Sequence, residues 1–320
     1  MKKLIKGIKI FLALVLTFIV IVFLLYGHRD IPLNELKVKY TNSASSFISV
    51  NGMDVHYRDE GNQTDSIPIV LIHGTGASLH TFDTWADNLK ISNRVIRMDL
   101  PAYGLTGPFP NRDYAMTQYT AFIKDFLTAL KIKKCVLAGN SFGGQVAWNF
   151  TLEQPNMIEK LILIDAAGYP LNSKSVPIAF KIGRTPVLKN LLTYLTPRFI
   201  VRSSVENVYF DTSKVTDSLV ERYFDLTLRE GNRQAFVDRL NNSGNASSYE
   251  NIKNIKQPTL IVWGAKDLLI PVENAHRFHQ DLPNATLVIL ENSGHTPMEE
   301  SPLESLKPVL DFLKSSKKID

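Results

Sequence analysis

The stretch Lys133–Phe150, KKCVLAGNSFGGQVAWNF, runs from an apolar segment into one of helical character through Gly139, Ser141, Gly143 and Gly144. Three glycines around one serine weaken both strand and helix, so their presence implies close backbone approach at a tight turn. Gly139-Asn140-Ser141-Phe142-Gly143 has the form G-x-S-x-G, in which a serine sits on a strained strand-to-helix turn with its hydroxyl exposed. Gly139 and Gly143 are expected to let strand and helix approach, and Gly144 to widen the space at the helix start.

Outward from this turn the chain repeats one theme. IPIVLIHG, RVIRMDLP, KKCVLAGNS, KLILIDAAG, PTLIVWGAKD and ATLVILENSGH are short Val/Ile/Leu-rich runs that end in Gly, Asp, Asn or Pro. Runs apolar on both faces suit the inner strands of a parallel sheet. Between them lie segments of helical period, such as MTQYTAFIKDFLTAL, with Tyr119, Phe122, Ile123, Phe126, Leu127 and Leu130 on one stripe. FISVNGMDVHYRDE reads as a hairpin turning at Asn51-Gly52. Strand and helix in alternation predict an α/β fold with a mostly parallel, doubly wound sheet. About 80 residues, from Tyr169 to Tyr249, interrupt the alternation with helix-like pieces, too long a stretch for a loop. The expected organisation is a core over residues 46–168 and 251–320, with a helical insertion, residues 169–250, packed over the end of the sheet.

Residues 1–29 have a different character. Lys2, Lys3, Lys6 and Lys9 precede Ile10–Tyr26, which has neither charge nor proline. Seventeen residues rise about 26 Å as a helix, and the snorkelling lysine segment extends that to a bilayer crossing. The run is longer than a signal-peptide core and lacks an A-x-A-like cleavage site, so an uncleaved anchor is preferred to a secretory signal. The lysine asymmetry places the N-terminus in the cytoplasm and the rest of the chain outside it. Residues 30–45 read as a polar linker.

Taking those four lysines from the 36 basic residues leaves 32 against 31 acidic ones, so the body has no electrostatic footprint for nucleic acid. The single cysteine, Cys135, excludes an internal disulfide or a multi-cysteine metal site, and its apolar context suggests a buried, inert thiol.

Ligands of open parallel sheets bind beyond the carboxyl ends of the strands, where His73-Gly74-Thr75, Asp99, Ser141, Asp165, Asp267 and His295 fall. A serine hydroxyl needs a base to become nucleophilic. His295, after the last apolar run, is the leading base, and Asp267, after the penultimate run, can fix its tautomer. Asp165 is an alternative acid. The backbone N–H groups of Thr75 and Phe142 are the expected donors to a developing oxyanion. His73 is expected to be structural. His276 and His279 share a helix face but have no third ligand, so a metal site is not expected.

LIHGTGAS, MDLPAYGLT, GNSFGG, LILIDAAG, WGAKD and SGHTPMEE together resemble the α/β-hydrolase superfamily from about Phe47 to Leu313. Within it the chain is similar to membrane-anchored monoacylglycerol-lipase-like hydrolases, bacterial lipases and esterases, and meta-cleavage-product hydrolases. The resemblance implies Ser141 as nucleophile, Asp267 as acid, His295 as base, a cap formed by the insertion, and no cofactor. Ser141 stands where dehalogenases and epoxide hydrolases carry aspartate, which argues against both activities. Ala102 departs from the glycine common in relatives. The expected substrate is a small-molecule or lipid-derived carboxylic ester, with carbon-carbon hydrolysis of a vinylogous diketone, or a non-catalytic role on the same fold, as alternatives. Phe180, Leu188, Leu191, Leu192, Tyr194, Leu195, Phe199 and Tyr209 either line an acyl pocket or form the insertion's own core.

Overall fold

A computed structural model describes residues 2–170, 172–242 and 248–314. Eight strands, β1 (Ser45–Val50), β2 (Met53–Gly61), β3 (Ile69–Ile72), β4 (Arg94–Met98), β5 (Cys135–Asn140), β6 (Ile158–Ile164), β7 (Thr259–Gly264) and β8 (Ala285–Leu290), form one sheet. Their order is β1-β2-β4-β3-β5-β6-β7-β8, antiparallel at β1/β2 and β2/β4 and parallel across every other pair. All six apolar runs of the sequence are parallel strands. The hairpin turns at Asn51 and Gly52, both at positive φ (51° and 79°), as a two-residue turn of this hand demands.

Period-two alternation loads both faces of the sheet. Cys135 and Leu137 of β5 join a core with Phe122 and Phe126 of α4 (Met116–Ala129) and Trp148 of α5 (Phe142–Glu153). Val136 and Ala138 turn the other way, toward Trp85 of α3 (Asp83–Leu89) and Val309 of α13 (Pro302–Lys314). Burial pushes the Cys135 thiol up to about 12, so it stays protonated.

The remaining helices divide into three groups. α1 (Lys2–Tyr26) has no buried residue; its 25 residues rise about 37 Å, more than a hydrocarbon core of about 30 Å. α2 (Leu33–Tyr40) occupies the segment read as a polar linker. Its Leu36 and Tyr40 are buried beside Leu105 and Leu226, at a spacing that places them on one face. Between β6 and β7 run α6 (Ile178–Arg184), α7 (Leu188–Leu191), α8 (Arg198–Glu206), α9 (Asp217–Thr227) and α10 (Asn232–Asn241). α11 (Glu273–Asp281) and α12 (Pro297–Glu300) complete the second half. His276 and His279 are exposed on α11.

Candidate active site

Ser141 lies between β5 and α5 at φ 55° and ψ −118°, a region unfavourable to a residue with a β-carbon. Its surroundings determine that conformation: its N–H donates to Ile164 O (3.0 Å), while its carbonyl accepts from Gln145 N and Ala167 N (both 3.0 Å). The glycines are required by contact. A β-carbon on Gly139 would collide with the backbone of Gly143, and one on Gly143 with the carbonyls of Ile72 and His73. Gly144 abuts Ala166 beyond β6, so its role is to bring α5 against the neighbouring strand's end.

His295 follows β8 and is buried, with Nδ1 2.6 Å from Asp267 Oδ2. The other Asp267 oxygen accepts the N–H groups of Leu269 (2.8 Å) and Ile270 (2.9 Å), which fixes the carboxylate in place. With Nδ1 engaged, Nε2 is the free ring atom. Ser141 and His295 both line a cavity of about 150 Å³ with Thr75, Phe180, Leu192 and Leu195.

Asp165 belongs to the same cluster, its carboxyl, that of Asp267 and the His295 ring offering atoms all within 4.8 Å of one another. Asp165 Oδ1 accepts from Gly264 N (2.9 Å), and among the described residues no donor reaches Oδ2. Burial, then the adjacent Asp267 charge, raises the Asp165 carboxyl well above the usual carboxylate range. The shift favours its neutral form beside the Asp267 carboxylate, and Asp267 holds the bond to His295.

The loop after β3 runs directly against the serine. A β-carbon on Gly74 would stand 2.8 Å from Asn140 Oδ1 and 3.1 Å from Ser141 Cβ. Phe142 is the first residue of α5, where a backbone N–H has no intrahelical acceptor. Neither its N–H nor that of Thr75 donates to a protein acceptor among the described residues. Two free donors thus flank the serine.

His73 is structural, accepting from Leu100 N at Nε2 (2.9 Å) and donating from Nδ1 to Gly74 O (2.7 Å). Burial lowers its proton affinity, consistent with that neutral form. Asp99 accepts from Leu79 N, Leu105 N and His56 Nδ1 at 2.7–2.8 Å. Burial opposes its charge, but the neighbouring His56 outweighs that and holds it below the usual range.

Several supporting residues carry no sequence signal of their own. The Asn140 side-chain amide donates to Ile164 O (3.1 Å) and His295 O (3.0 Å), tying the nucleophile's strand to the base. Glu300, buried, accepts from Gly294 N (2.7 Å), Phe210 N (3.0 Å) and Asp211 N (2.7 Å), and His295 N donates to Val208 O (2.8 Å). The histidine loop is thereby clamped to the segment after α8. Arg239 of α10 donates to Thr75 Oγ1 (2.8 Å) and sits 4.1 Å from the Phe142 ring centroid, with no carboxylate in ion-pair range among the described residues. Of the apolar residues singled out in the insertion, Phe180, Leu192 and Leu195 line the cavity. Tyr209 is buried with Val205, Val215 and Val220, whereas Leu188, Leu191, Tyr194 and Phe199 face outward.

A family model described as the alpha/beta hydrolase fold matches residues 67–302. An uncharacterized hydrolase of Bacillus subtilis, YugF, is 27% identical over 269 residues, 83% of this chain and 96% of its own length. A 2-hydroxy-6-oxo-2,4-heptadienoate hydrolase of Pseudomonas putida is 27% identical over 280 residues, 83% of this chain and 95% of its own. Among solved structures, a candidate lipase (lip1) from Acinetobacter baumannii AYE superposes with a TM-score of 0.74 at 27% identity, covering 89% of this chain and 97% of its own.

Proposed function

The chain belongs to the α/β-hydrolase family, and we propose that within it this protein is a membrane-anchored serine hydrolase that cleaves carboxylic esters. The observation that carries the reading is the His295–Asp267 bond of 2.6 Å in a cavity that His295 shares with Ser141, itself held at positive φ. His295 Nε2 takes the Ser141 proton as Oγ attacks the ester carbonyl, and Asp267 stabilises the resulting imidazolium. The N–H groups of Thr75 and Phe142 receive the oxyanion. Collapse breaks the carbon-oxygen bond, and the alcohol leaves with the proton from His295. The same base then activates water, which releases the acid and restores Ser141. In this reading α1 is the anchor, and the lysines before it support a hydrolase portion outside the cytoplasm.

The second reading, carbon-carbon bond hydrolysis, is favoured by the dienoate hydrolase among the relatives. Such a substrate carries a carboxylate and calls for a free cation. Arg233 lines the cavity but is bonded to Asp30 (2.7 Å) and to His28 O (2.9 Å). Arg239 has no carboxylate partner among the described residues, but it is bonded to Thr75 Oγ1, stacked on Phe142 and outside the cavity lining. The mainly apolar walls therefore favour an ester with an apolar acyl chain. The test is labelling of the full chain by a fluorophosphonate, with turnover of an acyl-ester series set beside a vinylogous diketone acid. Labelling lost in Ser141→Ala, together with faster ester turnover, is expected. An unlabelled Ser141 refutes the hydrolase, and preference for the diketone refutes the ester.

A further inference from the structure

The C-terminal end of α1 is bonded to the insertion. Thr196 N donates to Tyr26 O (3.0 Å), His28 N to Tyr194 O (3.4 Å), and Gly27 pairs with Leu195 as an antiparallel bridge. Tyr26 meets Phe199 edge to face at 5.8 Å. Wherever α1 leaves a membrane, α7 and the start of α8 are beside it.

These helices are apolar on two sides. Phe180, Leu192, Leu195, Ile200 and Val201 line the cavity that contains Ser141. On the outer side Val187 (78% exposed), Tyr194 (61%) and Phe199 (59%) lie with Ile178, Leu188 and Leu191, all exposed. Exposed apolar side chains gathered along one segment, opposite the cavity-lining ones, mark an interaction site. The charge pattern identifies the environment. From Ala166 to Val205 the chain has six cations, Lys174, Lys181, Arg184, Lys189, Arg198 and Arg202, and no acid. Lys181, Arg184 and Lys189 have no ion-pair partner among the described residues. Cations interspersed with exposed apolar residues fit the surface of a bilayer that contains anionic lipid.

We propose that the outer face of α6–α8 rests in the bilayer surface that α1 enters, so that the cavity is loaded with lipid-derived ester from the membrane rather than from water. The proposal rests on the reading of α1 as a membrane anchor.

Cys135 is the chain's one cysteine and is wholly buried, so a single introduced cysteine can be labelled selectively. The full chain, reconstituted in phosphatidylglycerol/phosphatidylethanolamine vesicles, would carry an environment-sensitive dye at Val187→Cys, Tyr194→Cys, Phe18→Cys or Ile91→Cys. Phe18 reports α1; Ile91, exposed, precedes β4 at the end of the sheet opposite Ser141. Positions 18, 187 and 194 should be quenched by nitroxide lipid, and position 91 by aqueous iodide. If 18 is lipid-quenched while 187 and 194 behave like 91, the face is not in the membrane although the anchor is. If 18 is quenched by iodide as well, the anchor reading fails and this proposal with it; neither result depends on ester hydrolysis. In a second arm, Val187→Glu/Leu191→Glu should slow turnover of a long-chain ester embedded in vesicles about tenfold and leave a short soluble ester unchanged. Undiminished turnover of the embedded ester overturns the proposal.

Discussion

Asp165 and Asp267 meet in one buried cluster, yet only Asp267 reaches His295 Nδ1, at 2.6 Å. Two adjacent carboxyls cannot both ionise cheaply, and the protein separates them: Asp267 is held by two backbone N–H groups, Asp165 by one. The division predicts unequal effects of the same substitution. Asp267→Asn should lower kcat about 10⁴-fold by presenting the wrong partner to the imidazole. Asp165→Asn puts a neutral group of the same shape beside Asp267 and should stay within about threefold of the parent. Steady-state ester kinetics on both variants decide the matter, and a large loss in Asp165→Asn would mean that its charge is used.

The same pair predicts a pH dependence of stability. Burial raises the folded-state proton affinity of Asp165 above its ordinary value of 3.8. Its contribution is therefore complete below that pH and is lost as pH rises, because the unfolded chain releases the proton more readily than the fold does. Asparagine does not titrate. The melting temperature of Asp165→Asn minus that of the parent should rise between pH 4 and pH 7, and a difference that stays flat over that range would show that Asp165 ionises without cost.

The glycines of the elbow can be separated into two kinds by alanine. At Gly143 a β-carbon meets fixed carbonyls of Ile72 and His73, and the expected cost is about 3 kcal/mol or more. At Gly76, on the cavity wall, there is open space, and only a φ of +74° resists substitution, at about 1–2 kcal/mol. Denaturant melts of Gly143→Ala and Gly76→Ala should preserve that order.

The strands, the hairpin and the Ser141, Asp267 and His295 positions were legible because each rests on a local rule: two-faced apolar runs, Asn-Gly, and a polar residue just past a strand. α2 was not, since eight residues with Leu36 and Tyr40 on one face are too short a signal to separate from a linker. Glu300 and Asn140 were equally silent, because their partners lie in other elements and only folding brings them together. The four outward-facing apolar residues of the insertion could not be told from the three that line the cavity, since both sets are apolar and come from the same short helical segment. Asp165 was visible as a position, but its raised proton affinity was not, since it comes from burial and from the charge of Asp267 beside it.

Ala102 was conspicuous in sequence where relatives commonly carry glycine, and the structure explains why. It sits at φ +84° in a turn closed by Tyr103 N to Leu100 O (3.1 Å), wholly buried. Removing its β-carbon relieves about 1–2 kcal/mol of backbone strain and forfeits about 0.8 kcal/mol of burial. Ala102→Gly should therefore be stabilising by about 0.5 kcal/mol, whereas Ala147→Gly, buried within α5, should lose about 1 kcal/mol. Equal signs in chemical denaturation would refute the assignment of strain to Ala102.

Arg239 offers the test that separates the two reactions by kinetics. Its guanidinium stacks on Phe142 and bonds Thr75, the two residues whose N–H groups are assigned to the oxyanion. For a neutral ester no charge exists until the tetrahedral intermediate forms, so the positive field acts on the transition state alone. Arg239→Met should then lower kcat about tenfold with KM nearly constant, and Arg239→Lys should restore part of it. A dienoate bears its charge from the start, so loss of the cation would raise KM instead. The two outcomes are distinct in one experiment on one variant, and a rise in KM with kcat intact would favour the carbon-carbon reaction.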